Sequence, residues 1–142
     1  RLLLSRSGAM AIELRPLPEA PSGPVEVAVA ALPVDPDDFR LAHKTSDRAF
    51  YDEARAAAGT FEILFRDRTG FLTEGSFTTL FVERGGRLLT PPLSRGLLPG
   101  VLRERLIEEG RAEEVDLTEA DLGAGFLIGN AVRGLIRGRL RS

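Results

Sequence analysis

Lys44 is the only lysine in the chain, and the other 18 of its 19 basic residues are arginine. It stands in "LAHKTSDRAFYDEARAAAG", between an apolar, proline-containing strand that leads in and a helix that leaves near Asp47. At such a junction, beside apolar "FRLA", a lysine can be partly desolvated, and burial favours the neutral amine. A neutral amine is what Schiff-base chemistry requires. The plain structural alternative is a surface lysine with its stem lying on the protein.

Three further segments carry residues suited to chemistry. In "LTEGSFTTLFV", Glu74 falls in a polar break between two strands, where a carboxylate can accept a hydrogen bond from a protonated ring nitrogen. In "LLPGVLRERL", a glycine after a proline loop opens a helix, and the free amides of Val101 and Leu102 form a natural phosphate cradle. In "FLIGNAVRGL", a strand ends in Gly129, Asn130 and Ala131, small residues that allow a ligand to approach closely. Taken singly, these are equally a turn glutamate in solvent, an ordinary helix start and an ordinary turn.

The elements that must position these residues follow from pattern. Residues 1–4 and 9–14 read as a hairpin around "SRSG", and "PLPEAPSGP" as a loop. "VEVAVAALPV" (25–34) is a strand and "DPDD" a turn. Ser46 or Asp47 caps a helix that Gly59 ends. "FEILF", "SFTTLFVE" and "RLLT" read as three strands of an antiparallel meander, with turns at "RDRTG" and "RGG". Val101, Leu102, Leu106 and Ile107 have helical spacing before Gly110. "AEEVDL" is a strand, "TEADLGAG" a short helix capped by Thr118, and "FLIGNAV" a last strand. The locally basic tail "RGLIRGRLRS" reads as a solvated terminus.

Composition bounds the function classes. The 142 residues suggest one folding unit, with 43% hydrophobic residues to build a core. A net charge of -2 with scattered basic residues gives no footprint for nucleic acid. Without cysteine, and with His43 the one histidine, no thiolate or histidine-rich metal site can form, so no metal is expected. No stretch approaches the roughly 20 apolar residues of a membrane span, and a cytoplasmic location is the expectation.

In order, "HKTSDRAFYD", "GFLTEGSFTTLFV", "LLTPPLSRGLLPGVLRERL" and "FLIGNAVRGL" resemble the class IV aminotransferase family, the fold-type IV pyridoxal-phosphate enzymes. The resemblance runs from about residue 40 to 138 and is greatest to the 4-amino-4-deoxychorismate lyases, in particular the form fused behind para-aminobenzoate synthase component I. It implies an α/β fold, the large C-terminal domain of a D-amino acid aminotransferase-like protein: a pseudo-barrel of mixed strands surrounded by helices. Residues 1–34 would be the last strands of a truncated small domain plus a linker, and 35–142 the large cofactor-binding domain. The absent front would supply a phosphate-binding arginine and one wall of the pocket, so a fragment could bind cofactor poorly.

The resemblance also implies roles. Lys44 matches the lysine that forms the Schiff base with pyridoxal 5'-phosphate and shuttles the substrate proton. Glu74 matches the carboxylate partner of the pyridine nitrogen. Val101 and Leu102 match the phosphate-holding amides at a helix start, and Asn130 with Ala131 the second phosphate-holding turn. Arg48 and Arg133 are candidate clamps for substrate carboxylates, each also readable as a surface or helix ion-pair residue. The family usually has asparagine at Thr79, and aminotransferase members have hydroxyl residues at Leu102 and Asn130. The implied reaction is release of pyruvate from 4-amino-4-deoxychorismate by a homodimer. Branched-chain or D-amino acid transamination is the runner-up, and a non-catalytic remnant of the fold the third reading.

Overall fold

The computed structural model describes residues 1–141. These residues form ten strands: β1 (Leu2–Leu4), β2 (Met10–Ile12), β3 (Val25–Ala31), β4 (Glu62–Arg66), β5 (Leu72–Gly75), β6 (Thr79–Arg84), β7 (Arg87–Thr90), β8 (Ala112–Glu114), β9 (Phe126–Asn130) and β10 (Gly134–Leu140). Three α-helices accompany them: α1 (Phe39–Ala42), α2 (Ala49–Ala58) and α3 (Val101–Glu108). β1 and β2 form their own antiparallel hairpin. The other eight strands form one mixed sheet in the order β5-β4-β3-β10-β9-β6-β7-β8. The pairs β3–β4, β3–β10 and β7–β8 are parallel and the rest antiparallel.

This sheet curls until its two edges meet. Beyond β8 the chain runs to Leu117, whose carbonyl accepts the Leu72 amide at 2.7 Å, and Phe71 bridges to Thr118. Arg95 fastens the same seam. Its guanidinium reaches Asp116 at 2.6 Å and Asp67 at 3.2 Å and lies 4.0 Å from the centre of the Phe71 ring. The mixed-strand pseudo-barrel implied by the resemblance is therefore the observed architecture.

Alternation along the strands builds two layers of core, because successive side chains leave a strand on opposite faces. Val27, Leu64, Leu80, Val82, Phe126, Ile128 and Ile136 fill the inside of the curl. Ile63 and Phe65 point the other way and pack with Leu41 and Tyr51, while Phe81 packs with Leu106 of α3. A strand covered on both faces reads as a continuous apolar run, which is why "EILF" lacks polar alternation.

Three expectations are corrected. The meander is interrupted: β5 is an additional strand where a polar break was expected, and β6 pairs with β9 rather than with β5. The C-terminal tail is not a solvated terminus but β10, an interior strand between β9 and β3. Its exposed Arg137 and Arg139 alternate with the inward positions Ile136, Gly138 and Leu140, so half of its pattern was polar by necessity. β3, which ends at Ala31, lies inside the large sheet between β4 and β10. Finally, α1 precedes Lys44 and α2 begins at Ala49, with Arg48 rather than Ser46 or Asp47 at its N-cap. Gly59 ends α2 as expected, at φ 65°.

The β9–β10 hairpin is packed tightly enough to dictate sequence. A Cβ added at Gly129 would lie 2.5 Å from the Gly134 carbonyl oxygen and 3.0 Å from Leu102 Cδ2. Backbone cannot retreat as a flexible side chain can. Gly129→Ala is expected to lower unfolding free energy by about 2 kcal/mol, within the range for overpacking. Gly23→Ala, where nothing lies within 4 Å, should stay within about 0.5 kcal/mol. Urea titration of both variants checks the contrast.

Candidate active site

A cavity of about 450 Å³ opens on one side of the barrel, walled by four chain segments. They are the α1–α2 junction around Lys44, the end of β5 with the turn after it, the loop into α3, and the β9–β10 turn. Lys44, Arg48, Glu74, Val101, Leu102, Asn130 and Ala131 all line it. Segments separated by up to 87 positions in sequence are thus brought to one opening, from Lys44 to Ala131.

Lys44 sits in an irregular segment after α1, not at a strand end, and it is exposed rather than desolvated. Among the described residues its amine has no hydrogen-bond or ion-pair partner. The arginines nearby are differently placed. Arg40 is committed to Asp38 at 2.7 Å and Asp47 at 3.3 Å and lies over the Phe50 ring. The hydrogen bonds from Arg40 hold the Asp38 carboxyl at about 2, below its usual value.

Glu74 is opposite in character. It is 6% exposed, and its Oε1 accepts a 2.7 Å hydrogen bond from the Tyr51 hydroxyl. Burial is the main influence on its acidity and pushes its pKa up to about 7. The Tyr51 bond and the Leu98 backbone pull it down, the negative Glu62 pushes it up, and the positive Lys44 pulls it down. Tyr51, the only tyrosine in the chain, is itself raised, first by burial and then by the Glu74 charge. Its partnership with Glu74 is absent from any local pattern, since 23 residues separate them. Tyr51→Phe deletes the one side-chain donor to Glu74 among the described residues. The Glu74 pKa should rise further above about 7, readable in the pH titration of the side-chain carboxyl by NMR.

The α3 N-terminus carries Gly100 at its N-cap, with no side-chain cap. The first amides of a helix have no intrahelical acceptor and their dipole favours an anion. A Cβ at Gly100 would come within 3.1 Å of Thr79 Oγ1, so the glycine keeps this approach open. The Asn130 side chain is spent within the protein: its Nδ2 donates to the Phe77 carbonyl at 3.0 Å, and its Oδ1 accepts the Val132 and Arg133 amides at 3.0 Å. This shapes the turn and leaves its backbone, with Ala131, at the cavity wall.

The two candidate clamps divide. Arg48 lines the cavity, but its guanidinium already bonds the Ser76 carbonyl at 2.7 Å and Asp52 at 3.1 Å. Arg133 is not among the cavity-lining residues. It lies against the Phe61 and Phe77 rings, 5.7 and 5.5 Å from their centres, and Phe77 itself lines the cavity.

The profile of the family described as "Amino-transferase class IV" matches residues 1–140. The chain belongs to the class IV aminotransferase family. Members of this family are pyridoxal-phosphate-dependent enzymes, and the cavity suits that group: a lone amine, a buried carboxylate and an uncapped helix start converge on it. Among solved class IV structures, one from Mesorhizobium loti named "Putative amino-acid aminotransferase" is similar with a TM-score of 0.90 and 37% identity, over 99% of this chain and 71% of that one. A Schizosaccharomyces pombe protein named "Putative aminodeoxychorismate lyase" is 27% identical over 96% of this chain. The Saccharomyces cerevisiae "Aminodeoxychorismate lyase" is 29% identical over 82%. The chain spans 64% and 37% of the length of these two yeast class IV proteins. No helix among the described residues is long and apolar enough to cross a membrane.

Proposed function

We propose that this chain is the cofactor-holding part of a 4-amino-4-deoxychorismate lyase, which forms 4-aminobenzoate and pyruvate for folate synthesis. The observation that carries the reading is the placement of Lys44 and Glu74 around one cavity in a class IV chain. Both named yeast relatives point to the lyase rather than to another class IV reaction.

Pyridoxal phosphate, when bound, supplies an electron sink at its protonated ring. The chain's residues supply the rest. Lys44 Nζ is the amine that attaches the cofactor, and it takes and returns the proton at the substrate carbon. Glu74, ionised once a cation faces it, holds the proton on the ring nitrogen. The Val101 and Leu102 amides, together with the Asn130–Ala131 turn, hold the phosphate. Arg48 at the cavity wall and Arg133, lying against the cavity-lining Phe77, are the candidates for the substrate's carboxylates. On this reading residues 1–34, the β1–β2 hairpin among them, are the last strands and linker of a smaller unit that precedes the large cofactor-binding domain. We further propose a cytoplasmic homodimer, with para-aminobenzoate synthase component I as fused or partner protein.

A second reading is transamination, favoured by the 37% identity to the Mesorhizobium loti protein. Adding 4-amino-4-deoxychorismate to the protein with pyridoxal phosphate separates the two. Pyruvate release without any keto acid is the expected result and supports the lyase. Amino-group transfer that requires 2-oxoglutarate supports the transaminase. If neither reaction occurs and borohydride traps no adduct, both readings fail and a non-catalytic remnant stands.

A further inference from the structure

Glu62 is wholly buried, in the first position of β4, and it does not line the cavity. Its carboxylate faces donors only. Oε1 accepts the Ile63 amide at 2.8 Å, the Ser76 amide at 2.9 Å and the Ser76 hydroxyl at 2.5 Å. Oε2 accepts the Phe77 amide at 3.1 Å and the Thr78 hydroxyl at 2.7 Å. Among the described residues it has no cationic partner. Four of these five donors belong to one turn, Ser76–Thr78, between Glu74 and β6.

That turn is in contact with the other walls of the cavity. Its Ser76 carbonyl accepts the Arg48 guanidinium at 2.7 Å, four residues beyond Lys44. Its Phe77 carbonyl accepts the Asn130 side-chain amide at 3.0 Å. Gly75 closes it, since its amide donates to the Thr78 carbonyl at 2.8 Å. A Cβ at Gly75 would stand 2.7 Å from Glu62 Oε2 and 2.6 Å from Thr78 Oγ1. The carboxylate and the turn are thus fitted to each other without spare room.

We propose that Glu62 is a positioning residue of the site: by fixing the Ser76–Thr78 turn it sets where the Lys44–Arg48 segment and the Asn130–Ala131 turn stand around the cavity. The donor set explains why the position requires a carboxylate. An ionised carboxylate is acceptor-only, whereas a glutamine amide always presents N–H groups on one side. In one flip these oppose the Ile63 and Ser76 amides, in the other the Phe77 amide. Neither orientation satisfies the turn, and a buried donor without an acceptor is strongly unfavourable.

The functional consequence rests on the cofactor reading of the cavity, while the positioning itself does not. The test is Glu62→Gln in the whole chain, read by NMR and by titration with pyridoxal phosphate. The Asn130 side-chain amide and the Ala131 backbone amide do not touch Glu62. The proposal expects both resonances to shift or broaden, with Leu80 and Ile128 in the sheet unchanged. Affinity for pyridoxal phosphate should fall on the order of tenfold, because small misplacements of binding groups are amplified. Changes confined to the Ser76 and Phe77 amides, with Asn130, Ala131 and affinity as in the parent, would overturn it and leave Glu62 a local strut. If Glu62→Gln does not fold, Thr78→Val removes one donor to Oε2, and the same Asn130 and Ala131 resonances decide. If the parent takes up no pyridoxal phosphate, the cofactor reading fails, and the resonances still decide the role of Glu62.

Discussion

Lys44→Ala is expected to remove the borohydride-trapped adduct entirely and to lower turnover by roughly a thousandfold, the middle of the range for loss of a positioned acid–base group. No other lysine exists in the chain to replace it. Its amine has no partner among the described residues, so deletion should leave the fold intact, with a stability change within about 0.5 kcal/mol. The combination distinguishes chemistry from structure. Peptide mapping of the reduced adduct, together with urea titration, checks it. An adduct that persists in the variant would place the attachment elsewhere, at the chain's N-terminal amine for example, and would remove the basis for reading this cavity as the active site.

Glu74→Gln has the second largest expected effect, and it appears differently in the free and the cofactor-bound protein. In the free chain the folded pKa of about 7 lies above the ordinary value of 4.5. Below pH 4.5 both folded and unfolded states are protonated, and stability does not change with pH on this account. As pH rises through 4.5 the unfolded chain releases its proton while the folded chain keeps it, so stability declines until about pH 7 and then levels off. A gap of that width between the two pKa values makes the whole decline about 3 kcal/mol. Glutamine cannot ionise and can still accept the Tyr51 hydrogen bond. The variant should therefore lack this decline and be the more stable protein at pH 8, measured by urea titration from pH 4.5 to 8. Asp38, held at about 2 by Arg40, changes only below its usual 3.8 and does not confuse that window. Parallel pH profiles for parent and variant would refute the buried, proton-holding state. In the loaded protein the sign reverses for function. The Glu74 charge is useful only when a cation faces it, and its loss should lower turnover on the order of a hundredfold while the Lys44 adduct still forms.

These two residues were legible because chemistry restricts them by type. A sole lysine before a helix and a glutamate in "TEGSFT" stand out from a sequence of arginines and apolar strands. The helix start at Gly100 was legible for a related reason, since a proline–glycine pair before helical spacing marks a terminus whatever surrounds it. The curled mixed sheet followed from the resemblance rather than from strand patterns, which suggested a simple meander.

What escaped the sequence depends on contacts between distant segments. β10 was hidden because an interior strand with one face turned outward alternates arginine with apolar residues and resembles a charged tail. Its place became visible only in pairing with β9 and β3. Glu62 stood in "FEILF" as an ordinary strand residue. Its importance arises from donors 14 to 16 positions away. Arg133 lies three residues beyond Asn130, and its stacking on Phe61 and Phe77 joins it to residues more than 50 positions earlier. Sequence by itself determined the residue types that can do the chemistry and the local elements that carry them, because periodicity and capping act over a few residues. Tertiary structure alone decided that Lys44 is exposed, that Glu74 is buried against Tyr51, and that a carboxylate off the cavity ties the walls together. Burial and hydrogen-bond partnership are properties of packed neighbours, and those neighbours meet only when the sheet has closed.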